Sequence, residues 1–282
     1  MAHRLRLAMI QMFVTKSKEE NIIRATNLIK EAVNNGAKLV ALPEYFTCLC
    51  DPMYITAAKE PIPGPTTQLM ADLAKHHSIH LIAGTIPEAT DKDGKLYNSC
   101  SVLGPDGRLI VTHKKMHMFD VDLGPHLHIT ESGVNRPGSK FTVLNIGKFS
   151  IGIGVCLDMR YPEISRIYTQ RGCNVHIYIG AFDATKLGPA HWDIQQRARA
   201  IDNQVYIATV APARDTTAPY QSWGHSSIIS PWGEIITQAG FEEEIIYADL
   251  DTDEIDEVKS HIDESKLRRS DLYITKDLTL EE

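Results

Sequence analysis

The apolar stretch "SIGIGV" ends directly on Cys156, and an acidic and a basic residue follow at Asp158 and Arg160. A thiol is a nucleophile only as its thiolate, and a free cysteine, with a pKa of about 8.5, is mostly protonated at neutral pH. A neighbouring carboxylate can accept the thiol proton, and a neighbouring ammonium favours the thiolate. Cys156 is therefore a candidate nucleophile if the fold brings a carboxylate and an amine to it.

Two other apolar runs also end in functional groups. Glu44 follows "AKLVALP", while Lys114 and Lys115 follow "RLIVTH". An ammonium beside the thiol can also stabilise the oxyanion that forms when the thiolate attacks a carbonyl carbon. A glutamate can take the thiol proton, return it to departing ammonia and then activate the water that cleaves a thioester. Glutamate, lysine and cysteine thus form a complete set for acyl transfer.

The segments around Cys156 predict a strand, a turn, a helix and a second strand. In Ser150–Val155, branched apolar residues alternate with two glycines, which is typical of a buried strand with a group packed closely against it. Pro162 suits the first turn of a helix that ends near Gly172, and "NVHIYIG" is the next strand. The thiol lies at the turn, where open α/β sheets usually carry their chemistry.

The rest of the chain predicts an α/β fold with mixed sheets. An amphipathic helix is indicated between a Ser17 cap and Gly36, and another from about Thr66 to His77. Hairpins are indicated around "GPDG" and within "SSIISPWGEIITQAG". Strands joined by helices pair in parallel and hairpins pair antiparallel, so helices should cover mixed sheets. Parallel strands end at one edge of a sheet, so we expect the carboxylate, amine and thiol to converge there.

Bulk properties limit the classes of protein. The 282 residues show no repeat, low-complexity run or flexible linker, so we predict a single domain over residues 1–282. No apolar run approaches the roughly 20 residues that span a bilayer, and the start has no signal-peptide cleavage site. Five cysteines, an odd number, favour reduced thiols in the cytoplasm, and a net charge of −7 gives no basic patch. We predict a small-molecule partner, no membrane and no nucleic acid.

Three segments, "LPEYF", "HKKMHMFD" and "GVCLDMRYPE", stand in this order and resemble the signatures of the carbon–nitrogen hydrolase (nitrilase) superfamily. The later segments "GPAHWDIQQRARAIDNQVY" and "WGHSSIISPWGEI" are similar to its ω-amidase branch. The resemblance implies a four-layer αββα sandwich, commonly a homodimer, with no metal or organic cofactor. It also implies hydrolysis of the terminal amide of 2-oxoglutaramate and 2-oxosuccinamate through a cysteine thioester, with release of ammonia.

The resemblance also assigns roles to residues of this chain. Glu44 would be the general base and acid, Lys115 the oxyanion cation and Cys156 the nucleophile. Glu131 would orient the lysine, and the backbone N–H of Leu157 would be a second oxyanion donor. Candidate substrate contacts are Tyr54, Arg160, Phe182 and Thr185.

The chain departs from the ω-amidase pattern beside the pocket. Cys50, in "TCLCDP", stands where that branch has a tyrosine, and Ile179 replaces a proline. Related amidases that act on deaminated glutathione or an N-carbamoyl compound therefore stay as alternatives, and a catalytically silent scaffold is a third. For Arg160, the alternative to a substrate contact is an ion pair with Asp158 or Glu163.

The histidines of "HKKMHMFDVDLGPHLH" raise the possibility of a zinc site. Two histidines four residues apart can ligate a metal when they lie on a helix. Here they follow a predicted strand, and no cysteine or carboxylate is spaced to complete a site. We therefore predict no metal. The histidines concerned are His113, His117, His126 and His128.

Overall fold

The computed structural model describes residues 3–90 and 94–280, in which strands and helices alternate. The strands are β1 Arg4–Gln11, β2 Leu39–Ala41, β3 His80–Ile82, β4 Ile86–Glu88, β5 Tyr97–Leu103, β6 Leu109–Lys114, β7 Asp120–Asp122, β8 His128–Thr130, β9 Thr142–Ile146, β10 Phe149–Val155, β11 Val175–Ile179, β12 Tyr206–Val210, β13 Ser227–Ile229, β14 Ile235–Gln238 and β15 Glu244–Asp251. The α-helices are α1 Lys18–Asn34, α2 Pro52–Ala58, α3 Pro65–His77, α4 Pro162–Gln170, α5 Leu187–Asn203, α6 Thr252–His261 and α7 Glu264–Leu267. Short 3₁₀ turns occur at Gly124–His126, Glu131–Gly133, Cys156–Arg160 and Leu278–Leu280.

The strands form two large mixed sheets. The first has the order β15-β1-β2-β3-β5-β4, and β6 also pairs with β5. In it β1, β2 and β3 are parallel, whereas β15 and β5 pair antiparallel with their neighbours. The second has the order β14-β13-β12-β11-β10-β9, with β10, β11 and β12 parallel. Strands β7 and β8 pair with each other outside both sheets.

The apolar core lies between the two sheets and on both of their outer faces. Met9 of the first sheet and Ile153 of the second belong to one buried cluster, so the sheets pack face to face. Helices α1 and α3 cover the outer face of the first sheet, where Ile29 and Met70 are buried. Helices α4 and α5 cover the second, where α5 buries Trp192. The fold is the αββα sandwich that the resemblance to carbon–nitrogen hydrolases implied.

The two glycines of β10 allow the close packing predicted for this strand. A Cβ on Gly152 would lie 2.5 Å from the ring of Tyr168, and one on Gly154 would lie 2.7 Å from the ring of Tyr178. The hydroxyl of Tyr168 also donates a hydrogen bond to the carbonyl of Ile153. Aromatic rings from α4 and β11 thus pack directly on the strand that leads to Cys156.

Several local predictions are confirmed. Ser17 caps α1, its hydroxyl accepting the N–H of Glu20 at 3.3 Å, and the predicted hairpins are β5–β6 and β13–β14. The expectation that the three functional strand ends share one sheet edge was wrong. Glu44 and Lys115 follow β2 and β6 of the first sheet, whereas Cys156 follows β10 of the second. Among the described residues, none of the helices is long and apolar enough to cross a membrane.

Candidate active site

Glu44 lies in the turn after β2 with its carboxylate enclosed by donors. Its Oε1 accepts hydrogen bonds from Asn98 Nδ2 at 2.8 Å and Lys115 Nζ at 3.1 Å, and its Oε2 accepts the N–H of Ala181 at 2.9 Å. Burial raises the pKa of Glu44, the Lys115 ammonium lowers it, and the Glu131 charge raises it again, for a net increase. A carboxyl with a raised pKa is suited to give back a proton that it has taken.

Lys115 is buried between two carboxylates. Its Nζ donates to Glu131 Oε2 at 2.7 Å and to Glu44 Oε1 at 3.1 Å. Burial alone would lower the pKa of Lys115, but the two carboxylates raise it well above its usual value. Lys114 lies elsewhere: it pairs with Glu88 at 3.0 Å. Lys115 is therefore the lysine that presents a permanent cation at this site.

Glu131 fixes the position of the lysine. It begins the short 3₁₀ turn after β8, and its Oε2 also accepts the N–H of Phe119 at 2.6 Å. Its Oε1 accepts Asn135 Nδ2 at 3.1 Å and Asn98 Nδ2 at 3.5 Å. With these donors and the lysine around it, the Glu131 carboxylate has both oxygens engaged.

Cys156 stands at the end of β10 in a strained backbone conformation. Its φ is 48°, in the left-handed region that β-carbon-bearing residues avoid at a cost of about 1–2 kcal/mol. Gly180, directly after β11, lies close to this cysteine: a Cβ on Gly180 would be 3.2 Å from the Cα of Cys156. Burial raises the pKa of the Cys156 thiol, Glu44 raises it further and Lys115 opposes them. A thiol with a raised pKa is protonated at neutral pH and can act as a nucleophile only after a base has taken its proton.

Asp158 joins the segment of the lysine to the turn of the cysteine. Its Oδ2 accepts the N–H of Val155 at 2.9 Å, and its Oδ1 accepts the N–H of His117 at 3.0 Å. The Nδ1 of His117 lies 2.7 Å from the same Oδ1. Burial would raise the pKa of Asp158, but the nearby His113 ring, 3.9 Å away, and the hydrogen bonds from His117 lower it to about 2. Asp158 is therefore ionised and holds the two segments together.

Sequence reasoning missed three polar residues of this site. Asn98 and Asn135 contact Glu131, and the sequence indicates Asp158 only as a partner of Arg160. Asn98 could have been recognised from the sequence, because asparagine is depleted in strands and Asn98 stands within a predicted strand. In the structure it is fully buried in β5. Asp158 gives none, since its partner His117 lies 41 residues earlier in the chain.

The predicted catalytic residues line one cavity. It has a volume of about 260 Å³, and Glu44, Lys115, Glu131 and Cys156 all form part of its wall. Cys50 lines it as well.

A smaller cavity adjoins Cys156 and is lined by three further candidates, Leu157, Arg160 and Phe182. The guanidinium of Arg160 lies 5.0 Å from the ring centroid of Phe182, and its Nη1 lies 3.1 Å from His191 Nδ1. The alternative ion pair of Arg160 with Asp158 or Glu163 does not form among the described residues.

The two other substrate candidates lie outside these two cavities. Tyr54 packs in a cluster with Cys50, and the N–H of Thr185 donates to Asp183 Oδ1 at 2.9 Å.

The histidines considered as zinc ligands contact different residues and do not converge on one point. His113 contacts Thr142 Oγ1 at 3.0 Å, His117 contacts Asp158, and exposed His128 lies 3.6 Å from Asp122. The side chain of His126 lies outside the described part of the structure. Within residues 3–90 and 94–280 there is no group of three or more side chains placed to hold a metal ion.

Known proteins resemble this chain over nearly its whole length. The family model of carbon–nitrogen hydrolases matches residues 6–260. Omega-amidase NIT2 of Danio rerio is 47% identical over 270 residues, 96% of each chain. Omega-amidase NIT2 of Homo sapiens is 46% identical over 268 residues, 95% of this chain and 96% of the relative.

Solved structures show the same architecture. Nit3 of Saccharomyces cerevisiae, described as a member of branch 10 of the nitrilase superfamily, superposes with a TM-score of 0.84 at 34% identity, covering 93% of this chain and 95% of that one. The NitFhit protein of C. elegans superposes with a TM-score of 0.89 at 27% identity, covering 97% of this chain and 67% of that one.

Proposed function

The chain belongs to the carbon–nitrogen hydrolase family, and we propose that it is an ω-amidase acting on small 2-oxo dicarboxylic acid monoamides, 2-oxoglutaramate and 2-oxosuccinamate. The observation that carries the proposal is the shared cavity of about 260 Å³, whose wall contains Glu44, Lys115 and Cys156. The relatives named omega-amidase, 46–47% identical, support the substrate class.

The reaction we propose runs through a thioester. Because the pKa of the buried thiol is raised, Glu44 takes its proton as Cys156 Sγ attacks the amide carbon. Lys115, with the backbone N–H of Leu157, stabilises the oxyanion. Glu44 then gives the proton to the leaving nitrogen, and ammonia departs as the carbon–nitrogen bond breaks. Glu44 finally takes a proton from water, whose oxygen displaces the thiolate to form the carboxylic acid, and returns this proton to the Cys156 thiolate.

The carboxylate of the substrate needs a cation that the reaction does not use. Lys115 is committed to Glu44 and Glu131. We propose that Arg160 binds this carboxylate. Arg160 lines the cavity beside Cys156, and its guanidinium lies over the ring of Phe182. Arg160 is half-buried, so water only partly solvates this cation, and burial lowers its pKa. A poorly hydrated guanidinium binds a carboxylate more strongly than a fully hydrated one.

We further propose that the protein works as a cytoplasmic homodimer, without metal or cofactor. Two exposed apolar side chains, Ile194 of α5 and Trp232, support a second subunit on this side of the sandwich. All five cysteines are free, which suits a reducing compartment. Sedimentation velocity on the parent and on Ile194→Glu tests the dimer, which the charge should dissociate.

Ammonia release from a panel of amides tests the proposal. The panel contains 2-oxoglutaramate, 2-oxosuccinamate, deaminated glutathione, N-carbamoyl-β-alanine and a simple nitrile. We expect the highest kcat/KM for one of the two short 2-oxo acids. A much higher rate for deaminated glutathione would contradict the proposed substrate class but would be consistent with the proposed mechanism. No ammonia from any member of the panel would favour a silent scaffold.

Substitution of the nucleophile tests the thioester. Cys156→Ala and Cys156→Ser should abolish turnover while leaving the fold intact, because both side chains are small. Cys173→Ala is the matched control, since Cys173 is also buried but packs with Tyr168 away from the cavity. Turnover in Cys156→Ala comparable to the parent would end the thioester mechanism.

A further inference from the structure

A third cavity, here called the small cavity, reaches Glu44 and is distinct from the one that Arg160 lines. It has a volume of about 30 Å³, and it shares a wall with the main cavity. The shared wall consists of Glu44, Tyr45, Cys50, Ala181 and Tyr220. The catalytic carboxylate is thus reached from two spaces, of which the larger holds the thiol.

The small cavity is large enough for water, and its mostly apolar wall includes the polar side chains of Glu44, Asp215 and Ser222. A cavity needs about 10–15 Å³ to hold one water molecule, so a volume of about 30 Å³ is sufficient. Ser222 lines this cavity and is only 5% exposed, and within the described residues its Oγ has no hydrogen-bond partner. A buried hydroxyl without a partner is unfavourable, and a bound water that accepts or donates a hydrogen bond removes this cost.

The cavity also approaches the protein surface. Its far side is formed by half-buried Asp215 and Ala218, in the loop between β12 and β13. The neighbouring Thr216 and Thr217 are exposed. The space therefore extends from this loop inwards to the base.

The main cavity is occupied when water is needed. After ammonia leaves, the acyl group stays attached to Cys156, on the wall that the main cavity shares with Glu44 and Lys115. Water must then reach Glu44 by another route or pass the acyl group. We infer that the small cavity is a water inlet, which delivers the hydrolytic water to Glu44 while the acyl group occupies the main cavity. This inference rests on the proposed function.

Single-turnover kinetics with 2-oxoglutaramate test the inlet. Ala218→Met should narrow it, because half-buried Ala218 lines the cavity. We expect the first release of ammonia to keep the parent rate, whereas decay of the acyl-enzyme, followed by intact-protein mass spectrometry, slows about tenfold. Thr216→Met is the matched control, because it adds the same side chain on the same loop outside the cavity; it should behave as the parent.

A second measurement requires no substrate. A high-resolution crystal structure of the parent should show an ordered water within hydrogen-bond distance of Ser222 Oγ, and Ser222→Ala should lose it. A dry cavity, or an Ala218→Met variant with parent-like decay of the acyl-enzyme, would overturn the inlet. Failure of the parent to release ammonia would instead count against the proposed function, and the crystallographic result would still decide whether the cavity holds water.

Discussion

Lys115 donates its shorter hydrogen bond, 2.7 Å, to Glu131 and its longer one, 3.1 Å, to Glu44. The carboxylate that holds the ammonium more closely is therefore not the one proposed to exchange protons. Glu131 is itself fixed by the N–H of Phe119 and by Asn135. Glu44 can thus gain and lose a proton while the cation stays in place.

Glu131→Gln should separate this positioning role from general stability. The substitution keeps the shape and removes the charge, so we expect kcat to fall roughly 10²-fold, comparable to the loss of one oxyanion donor, with KM little changed. Because the Glu131 charge raises the pKa of Lys115, the alkaline limb of the kcat profile should move to lower pH. Glu88→Gln, which removes the partner of Lys114, is the control. An unmoved alkaline limb would contradict the role of Glu131.

Lys115→Ala should lower kcat by roughly two to three orders of magnitude, because the oxyanion loses its cation. Lys114→Ala should be mild, since its partly exposed ion pair with Glu88 contributes about 1 kcal/mol or less. Steady-state kinetics on both variants, with circular dichroism to check folding, compare the two directly. The reverse order of effects would place Lys114 at the oxyanion.

Asp158→Asn should loosen the junction between the lysine segment and the cysteine turn. The amide oxygen cannot replace a carboxylate that accepts from Val155 and His117, so we expect a loss of about 2 kcal/mol of unfolding free energy. The folded pKa of Asp158, about 2, is below its unfolded value. Its stabilising contribution is therefore present above about pH 4 and lost as the pH falls from about 4 to 2.

Urea unfolding between pH 2 and 7 checks this prediction. The exposed Asp122→Asn, next to His128, is the control and should unfold like the parent. If Asp158→Asn kept both the parent stability and the parent kcat, Asp158 would not be the link between the two segments.

His176→Phe should stabilise the protein in mild acid. His176 is fully buried in β11, neither ring nitrogen has a hydrogen-bond partner among the described residues, and burial lowers its pKa to about 3. A histidine in an unfolded chain titrates near pH 6.5. As the pH falls from about 6.5 to 3, the unfolded state therefore binds a proton that the folded state does not bind. Each pH unit in this window then costs about 1.4 kcal/mol.

Thermal and urea unfolding between pH 3 and 7 measure that slope. We expect the slope in His176→Phe to be smaller by the contribution of one proton, about 1.4 kcal/mol per pH unit. Above about pH 7 the slopes of the variant and the parent should be equal. A parent-like slope in His176→Phe would show that other groups carry the acid sensitivity.

Cys50→Tyr should leave the kcat/KM for 2-oxoglutaramate within about tenfold, or roughly 1.4 kcal/mol of transition-state binding. Cys50 lines the main cavity, so a ring at this position takes up space that a short acid does not need. The longer deaminated glutathione should lose more. Equal losses for both substrates would mean that position 50 does not select by length.

The features that local patterns specify were predicted well. The cap at Ser17, the hairpins and the glycines of β10 depend on neighbours in sequence or on the period of the strand. The placement of Cys156 on a separate sheet was not predictable in this way, since strand order depends on contacts between distant segments. The same holds for Asp158, which contacts His117 41 residues away. The single domain and the dimer stay predictions.

The division of the site between two sheets makes the chain a candidate for fragment complementation. A cut between Ser139 and Lys140, in the exposed connection before β9, would leave Glu44, Lys115 and Glu131 on one fragment and Cys156 on the other. Strand β15 of the second fragment would still pair with β1 of the first along Arg4–Gln11. Neither fragment alone would carry a complete site. Ammonia production by the mixture would therefore report reassociation of the fragments. If each fragment were fused to a different protein, ammonia production would report binding between those two proteins.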